Sequence, residues 1–181
     1  MRESNFNQLL GKTIRSIKSS FVIIENNGTE FIEFRMDYKS YFVIDAPIKW
    51  RFQKIFIDSD WHENPHGQDL LSISLRLGEV YSGTEAEYLN MPYTSTISIW
   101  NGFKVRQIDL YGYNTNFNQL DPTKHILLLK AFDERKILIR PETAALGLIF
   151  TFNDDEIDHF FNKSLRHELI FHVSTFAIDE A

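Results

Sequence analysis

The 181 residues contain no cysteine. That excludes thiol nucleophiles, thiolate metal sites and disulfide scaffolding. Long apolar stretches are missing too. The longest unbroken runs are four residues, far short of the roughly 20 that cross a bilayer as a helix. Met1 to Leu10 is polar and has no apolar h-region, so no secretory signal is expected. There is no glycine-rich phosphate loop, dinucleotide fingerprint, nucleophile elbow or kinase signature. No catalytic residue and no cofactor is therefore assigned. Basic charge is also scarce: 19 Lys and Arg stand against 25 Asp and Glu, a net charge of −6. Affinity for nucleic acid rests on neutralising phosphates, and an acidic chain is poorly made for it. The cations Lys12, Arg15, Lys18, Arg35, Lys39, Lys49, Arg51 and Lys54 are read as strand-edge charges that discourage edge pairing.

What remains is an ordinary globular mixture, 43% hydrophobic and 24% charged, with 16 Phe, 7 Tyr and 3 Trp. A chain of this length buries roughly 70% of its unfolded surface and needs no metal to hold a core. One domain over residues 1–181 is expected, in a cytoplasmic protein without a membrane anchor.

Strand signals dominate. Asn27-Gly28, flanked by Phe21–Asn26 and Thr29–Phe34, fits a two-residue type I′ hairpin. This register pairs Ile23 with Ile32 and predicts a central, buried hairpin, with Tyr41–Ile44 extending the meander. A second Asn-Gly, Asn101-Gly102, predicts a hairpin between Ile97–Trp100 and Phe103–Arg106. Leu71 to Leu77 alternates as an amphipathic strand. Ile126–Ala131 and Ile137–Ile139 form a hairpin around Asp133-Glu134, and Leu169–Phe176 reads as a last strand. Helix is rare. Its best case opens at Asn153, an N-cap residue, with Glu156 three positions on and Asp154 and Asp155 beside the positive end of the dipole. Ile157, Phe160, Phe161 and Leu165 then share one face. Shorter helices are expected over Thr84–Leu89 and Asn5–Leu10. The fold class is thus α+β, mostly antiparallel sheet in hairpins with one C-terminal helix packed on it. Gly11–Ile17 resembles Gly102–Ile108 with three identities in seven, which raises two related β-modules as an option.

Acidity is concentrated. Residues 55–90 carry a balance of −6 and residues 151–181 one of −5, while the rest of the chain is positive. If the two blocks meet, they form an anionic face that steers a basic partner. The candidate binding residues are Asp58, Asp60, Glu63 and Asp155 for charge, with Tyr111, Tyr113 and Phe117 of a polar, aromatic-bearing loop as anchors. Asp58 to Asp69 also holds His62 and His66, four residues apart, which are generic metal-ligand types. Pro65 and Gly67 break the helix that this spacing would need, so the segment is read as a charged surface loop and no metal is assigned. His172, in an apolar strand, suits a core histidine.

The expected function is a non-enzymatic acidic protein-binding module. It would neutralise a basic protein partner in the manner of a toxin-immunity protein, with a homodimer allowed. The alternatives are a metal-assisted hydrolase built on Asp58 to Asp69 and a binder of a small apolar ligand among the many Phe. Changing His62 and His66 together to Ala is expected to leave folding intact. Elemental analysis of protein purified without added metal checks this reading, and stoichiometric zinc or manganese lost in the double variant would overturn it.

Overall fold

Apolar residues recurring at every second position drive most of this chain into antiparallel strands. A computed structural model describes residues 3–19, 22–26, 31–36, 40–45, 52–63, 69–81, 95–116, 119–141 and 148–178. A 3-10 helix over Glu3–Leu9 is followed by β1 (Thr13–Ser19), β2 (Val22–Asn26), β3 (Phe31–Met36), β4 (Tyr41–Asp45), β5 (Phe52–Glu63) and β6 (Asp69–Tyr81). Then come β7 (Ser95–Asn116), β8 (Gln119–Ala131), β9 (Lys136–Pro141), β10 (Leu148–Thr151), α1 (Asp154–Arg166) and β11 (Ile170–Ala177). The strand order is β2-β3-β10-β9-β8-β7-β1-β4-β5-β6, with β11 also on β7. The fold is therefore the expected α+β arrangement of antiparallel sheet with a single described α-helix near the C-terminus packed on it.

β7 belongs to both halves of this sheet. Its first part, Ser95 to Lys104, pairs with β1, and its second part pairs with β11 through Gln107 to Tyr113. β8 takes the other edge, beginning at Val105 opposite Ala131. The inner faces of the two halves close on one core, in which Ile14, Phe42, Ile55, Ile57, Phe103, Leu127, Leu129, Ile139 and Phe150 are essentially inaccessible. Phe6 and Leu9 of the 3-10 helix join it. A smaller cluster forms on the outer face, where α1 lays Ile157 on Ile126, Leu128, Leu138 and Ile170.

The helix follows its sequence signals. The Asn153 side chain accepts from the Glu156 backbone N–H at 3.1 Å. Lys163 and Arg166 lie in the last turn, where the dipole favours cations. Ile157 is buried and Phe160 and Phe161 are half-buried, but Leu165 is exposed and Ser164 takes the buried place beside it. A thirteen-residue helix rotates its stripe, so the last apolar position drifts off the contact line.

Several strand expectations are corrected. β2 pairs with β3, but Ile23 faces Arg35 rather than Ile32, and Asn26 faces Phe31 across a longer connection. The Asn27-Gly28 tip itself lies outside the described residues. β2 ends the described strand order rather than lying at its centre, and β4 pairs with β1 and β5 instead of extending from β3. Asn101-Gly102 makes no hairpin. β7 runs through it, with positive φ at both residues (58° and 66°), as a bulge between Ser98 opposite Ser16 and Phe103 opposite Ile14. The same dihedrals that close a tight turn also allow extra residues to loop out of a continuing strand. The β8–β9 hairpin is as expected, with Glu134 at φ 67° in its turn. Gly11 and Gly102 both have positive φ, but the pairings that follow them differ: β8 pairs with β9, whereas β3 and β4 do not pair with each other. The expected helix over Thr84–Leu89 lies outside the described residues.

Gly102 shows how tightly the bulge is set. A Cβ there would lie 2.6 Å from Cγ2 of Thr13 on β1, at a φ that L side chains rarely adopt. Gly102→Ala is expected to cost about 1–3 kcal/mol, read from equilibrium urea unfolding. An unchanged midpoint would show that the bulge relaxes freely.

Candidate functional site

The bulge in β7 and the end of β8 together open a cleft. β8 stops at Ala131, and residues 132–135 turn the chain back into β9 beside the bulge. Beyond that turn the two halves of the sheet part. The resulting cleft, about 350 Å³, is lined by Ile97, Ile99, Phe103, Ile137 and Phe152, with Trp100, Arg135 and Asp154 among the remaining walls. Phe103 and Ile137 are core residues at 1% exposure, so the floor is the main core laid open at one side.

Trp100 is the most exposed large hydrophobic side chain among the described residues, at 83%. Asn101 and Gly102 lift the chain at the bulge and leave its ring without a neighbouring strand. Arg135 holds the cleft's upper wall. It donates to the Trp100 carbonyl at 2.9 Å and to the Gly102 carbonyl, pairs with Asp133 at 2.7 Å and lies over the Phe103 ring. Its guanidinium takes the part that a neighbouring strand's N–H groups would play. Lys136 is likewise engaged, with Asp158 at 2.9 Å. Asp154 and Asp155 lie on the exposed first turn of α1 without an ion pair of their own among the described residues; Asp154, which lines the cleft, also acts on the Lys136 ammonium through its charge.

A second polar group lies on the helix-facing side of β7. Asp109, 3% exposed, receives Thr175 at 2.7 Å, Gln107 at 2.8 Å and Lys130 at 2.9 Å. Burial pushes this carboxyl up, but the hydrogen bonds from Thr175, Lys130 and Gln107, with the charge of Lys130, outweigh it and hold the carboxyl below its ordinary range. His172 Nε2 lies 2.8 Å from the Thr175 hydroxyl, and its ring meets the edge of Tyr111. Burial and the nearby Asp109 charge push the Tyr111 hydroxyl up. The group ties β11 to β7 and β8. His172 is thus exposed rather than a core histidine. Lys18, expected at a solvated edge, is fully buried; desolvation, then the charge of Lys54, pushes its ammonium down.

The expected site residues scatter. Tyr111 and Tyr113 do not form a polar loop: β7 continues through them, pairing Tyr111 with Ile126 and His172, and both rings pack against the outer cluster under α1, Tyr111 in contact with Phe161. The Asn-rich run disguised a strand whose partners are far away in sequence. Phe117 lies outside the described residues. Asp58, Asp60 and Glu63 belong to β5 rather than to a loop, paired through Glu63 with Asp69 on β6; their side chains lie outside the description. β5 sits in one half of the sheet and α1, with Asp155, packs on the other. Among the described residues no three His, Asp or Glu gather as a metal site, and no helix is long and apolar enough to cross a membrane. Sequence reading passed over Trp100, Arg135 and Asp109. Trp100 had one signal, a large aromatic directly before Asn-Gly, and Asp109 another, a lone carboxylate between Ile108 and Leu110.

Asp109 makes a pH prediction. A carboxyl with a lowered folded pKa stabilises the fold above the ordinary Asp value of about 3.9, and that contribution is lost as pH falls through the folded value. Asp109→Asn is expected to cost about 1–3 kcal/mol at pH 7, with the gap to wild type narrowing below about pH 4. Urea unfolding at several pH values measures it, and a gap independent of pH would remove the role given to the charge. Compared with protein-family models, curated proteins and solved structures, the chain finds no match, so the chemistry of the site rests on its own residues.

Proposed function

We propose that the protein is a non-enzymatic binding module that holds a basic protein partner at the cleft beside Trp100, in the manner of an immunity protein that neutralises a basic toxin. One observation carries this reading. An apolar floor continuous with the core, an almost fully exposed Trp and the Asp154 carboxylate line one cleft, with Asp155 the next residue on the exposed first turn of α1. Covering an indole of about 150–250 Å² at roughly 25 cal/mol per Å² contributes about 4–6 kcal/mol. That is the size of a binding hot spot. The carboxylates act on encounter more than on holding, because rim charges change association rates. The charges of Asp58, Asp60 and Glu63, on β5, are proposed to add to the attraction of the partner. A small apolar ligand is the second reading, favoured by the volume of the cleft, which lies within the roughly 300–1,000 Å³ of ligand pockets.

The test is panning a displayed random-peptide library on the immobilised protein, followed by binding kinetics of the enriched peptides across a salt series. Peptides with an apolar anchor flanked by Lys or Arg are expected. Their association slows as salt rises, and slows further in the variant with Asp154→Lys and Asp155→Lys. Trp100→Ala raises their dissociation rate about tenfold or more. Enrichment of acidic peptides, or indifference to Trp100→Ala, would overturn the reading. A fluorescent apolar dye that binds while no peptide does would select the small-ligand reading instead.

A further inference from the structure

The open side of the cleft is a sheet edge. On the β8 side of β7, the last backbone bond is from the Phe132 N–H to the Lys104 carbonyl. Next along that edge come the Gly102 and Trp100 carbonyls, met among the described residues only by the Arg135 side chain. Still further along, at residues 97–99, β1 occupies the opposite edge and no described strand lies on this one. Ser98 is exposed and Ile97 and Ile99 are half-buried, lining the cleft where the next strand of the sheet would run.

We infer that the partner binds as an added β-strand: an extended basic segment lies along Ile97–Trp100 and continues the sheet where β8 turns away. This rests on the cleft reading above and specifies its mode. Backbone hydrogen bonds to β7 would supply register, and alternate side chains would enter the cleft over Phe103, Ile137 and Phe152. The remaining positions would lie near Asp154. The charge decides between occupants. Arg135 is paired with Asp133 and Lys136 with Asp158, so Asp154, which acts on Lys136 only through its charge, has no ion pair of its own and is open to a cation of the incoming segment. A second copy of this chain, pairing edge to edge through Ser95–Asn101, would bring no Lys or Arg to it. A basic segment of another protein does.

The probe is a capped peptide of about eight residues alternating Lys with Val, long enough to cover the open edge at about 3.3 Å per residue. Two further versions carry backbone N-methyl groups, one on the Lys set and one on the Val set. Only one set can point its N–H groups at β7. Methylation of that set is expected to weaken binding about tenfold or more, while methylation of the other leaves affinity nearly unchanged. The protein itself is unaltered, so folding does not confuse the result. Equal binding by both methylated peptides, with Trp100→Ala still weakening it, would overturn strand addition and leave the cleft reading standing. No binding by any of the three would overturn both. Sedimentation of the protein alone closes the remaining arm: a dimer that the unmodified peptide dissociates would assign the edge to a second copy and overturn the heterologous partner.

Discussion

β7 is longer than any strand beside it, and its backbone must still find partners along both edges. Buried N–H and C=O groups left unpaired are costly, so a 22-residue strand needs its neighbours in relay. β1 and β11 divide one edge between them, while β8 covers only the second part of the other. The bulge at Asn101-Gly102, the reach of Arg135 to two carbonyls and the cleft below Trp100 all occur where that relay is incomplete. The outer face follows the same rule. The part of β7 that has both neighbours carries Asp109 and the tyrosines, which α1 and β11 cover.

Locally determined elements could be read directly from the residues. The Asn153 cap, the acidic first turn and Ile157 placed α1, and the Asp133-Glu134 turn placed the β8–β9 hairpin. Both depend on contacts within a few residues. The elements misread from sequence depend on distant partners. Tyr111 and Tyr113 sit in a run that looks like a loop until Ile126 on one side and Ile170 on the other pair with that stretch. Asn101-Gly102 has the chemistry of a hairpin tip, yet β1, some 85 residues earlier, draws both flanks onto one line. The cleft itself is the joint product of a bulge, a turn and the start of a helix, and none of the three announces it alone.

The acidity also looks different in place. Much of the C-terminal excess has local employment: Asp154, Asp155 and Glu156 sit at the positive end of a helix, and Asp158 pairs with Lys136. Net charge counted along a segment therefore overstates the field it projects. For the recognition proposed at the cleft, the one carboxylate that lines it beside the exposed indole, Asp154, bears more than the larger sum, because interfaces concentrate their affinity in a desolvated anchor with a charged rim.

The strand order also sets the sequence of events during synthesis. β3 has β10 as its second neighbour, more than a hundred residues later, and β7 waits for β11 near the end of the described chain. Emerging from the ribosome at about 5–20 residues per second, β3 leaves one edge bare for several seconds before its partner exists. Pairings this distant in sequence place folding towards the slow, millisecond-to-second end of small domains. For that interval the nascent chain exposes an unpaired strand, and its yield in the cell depends on what shields that edge until β10 arrives.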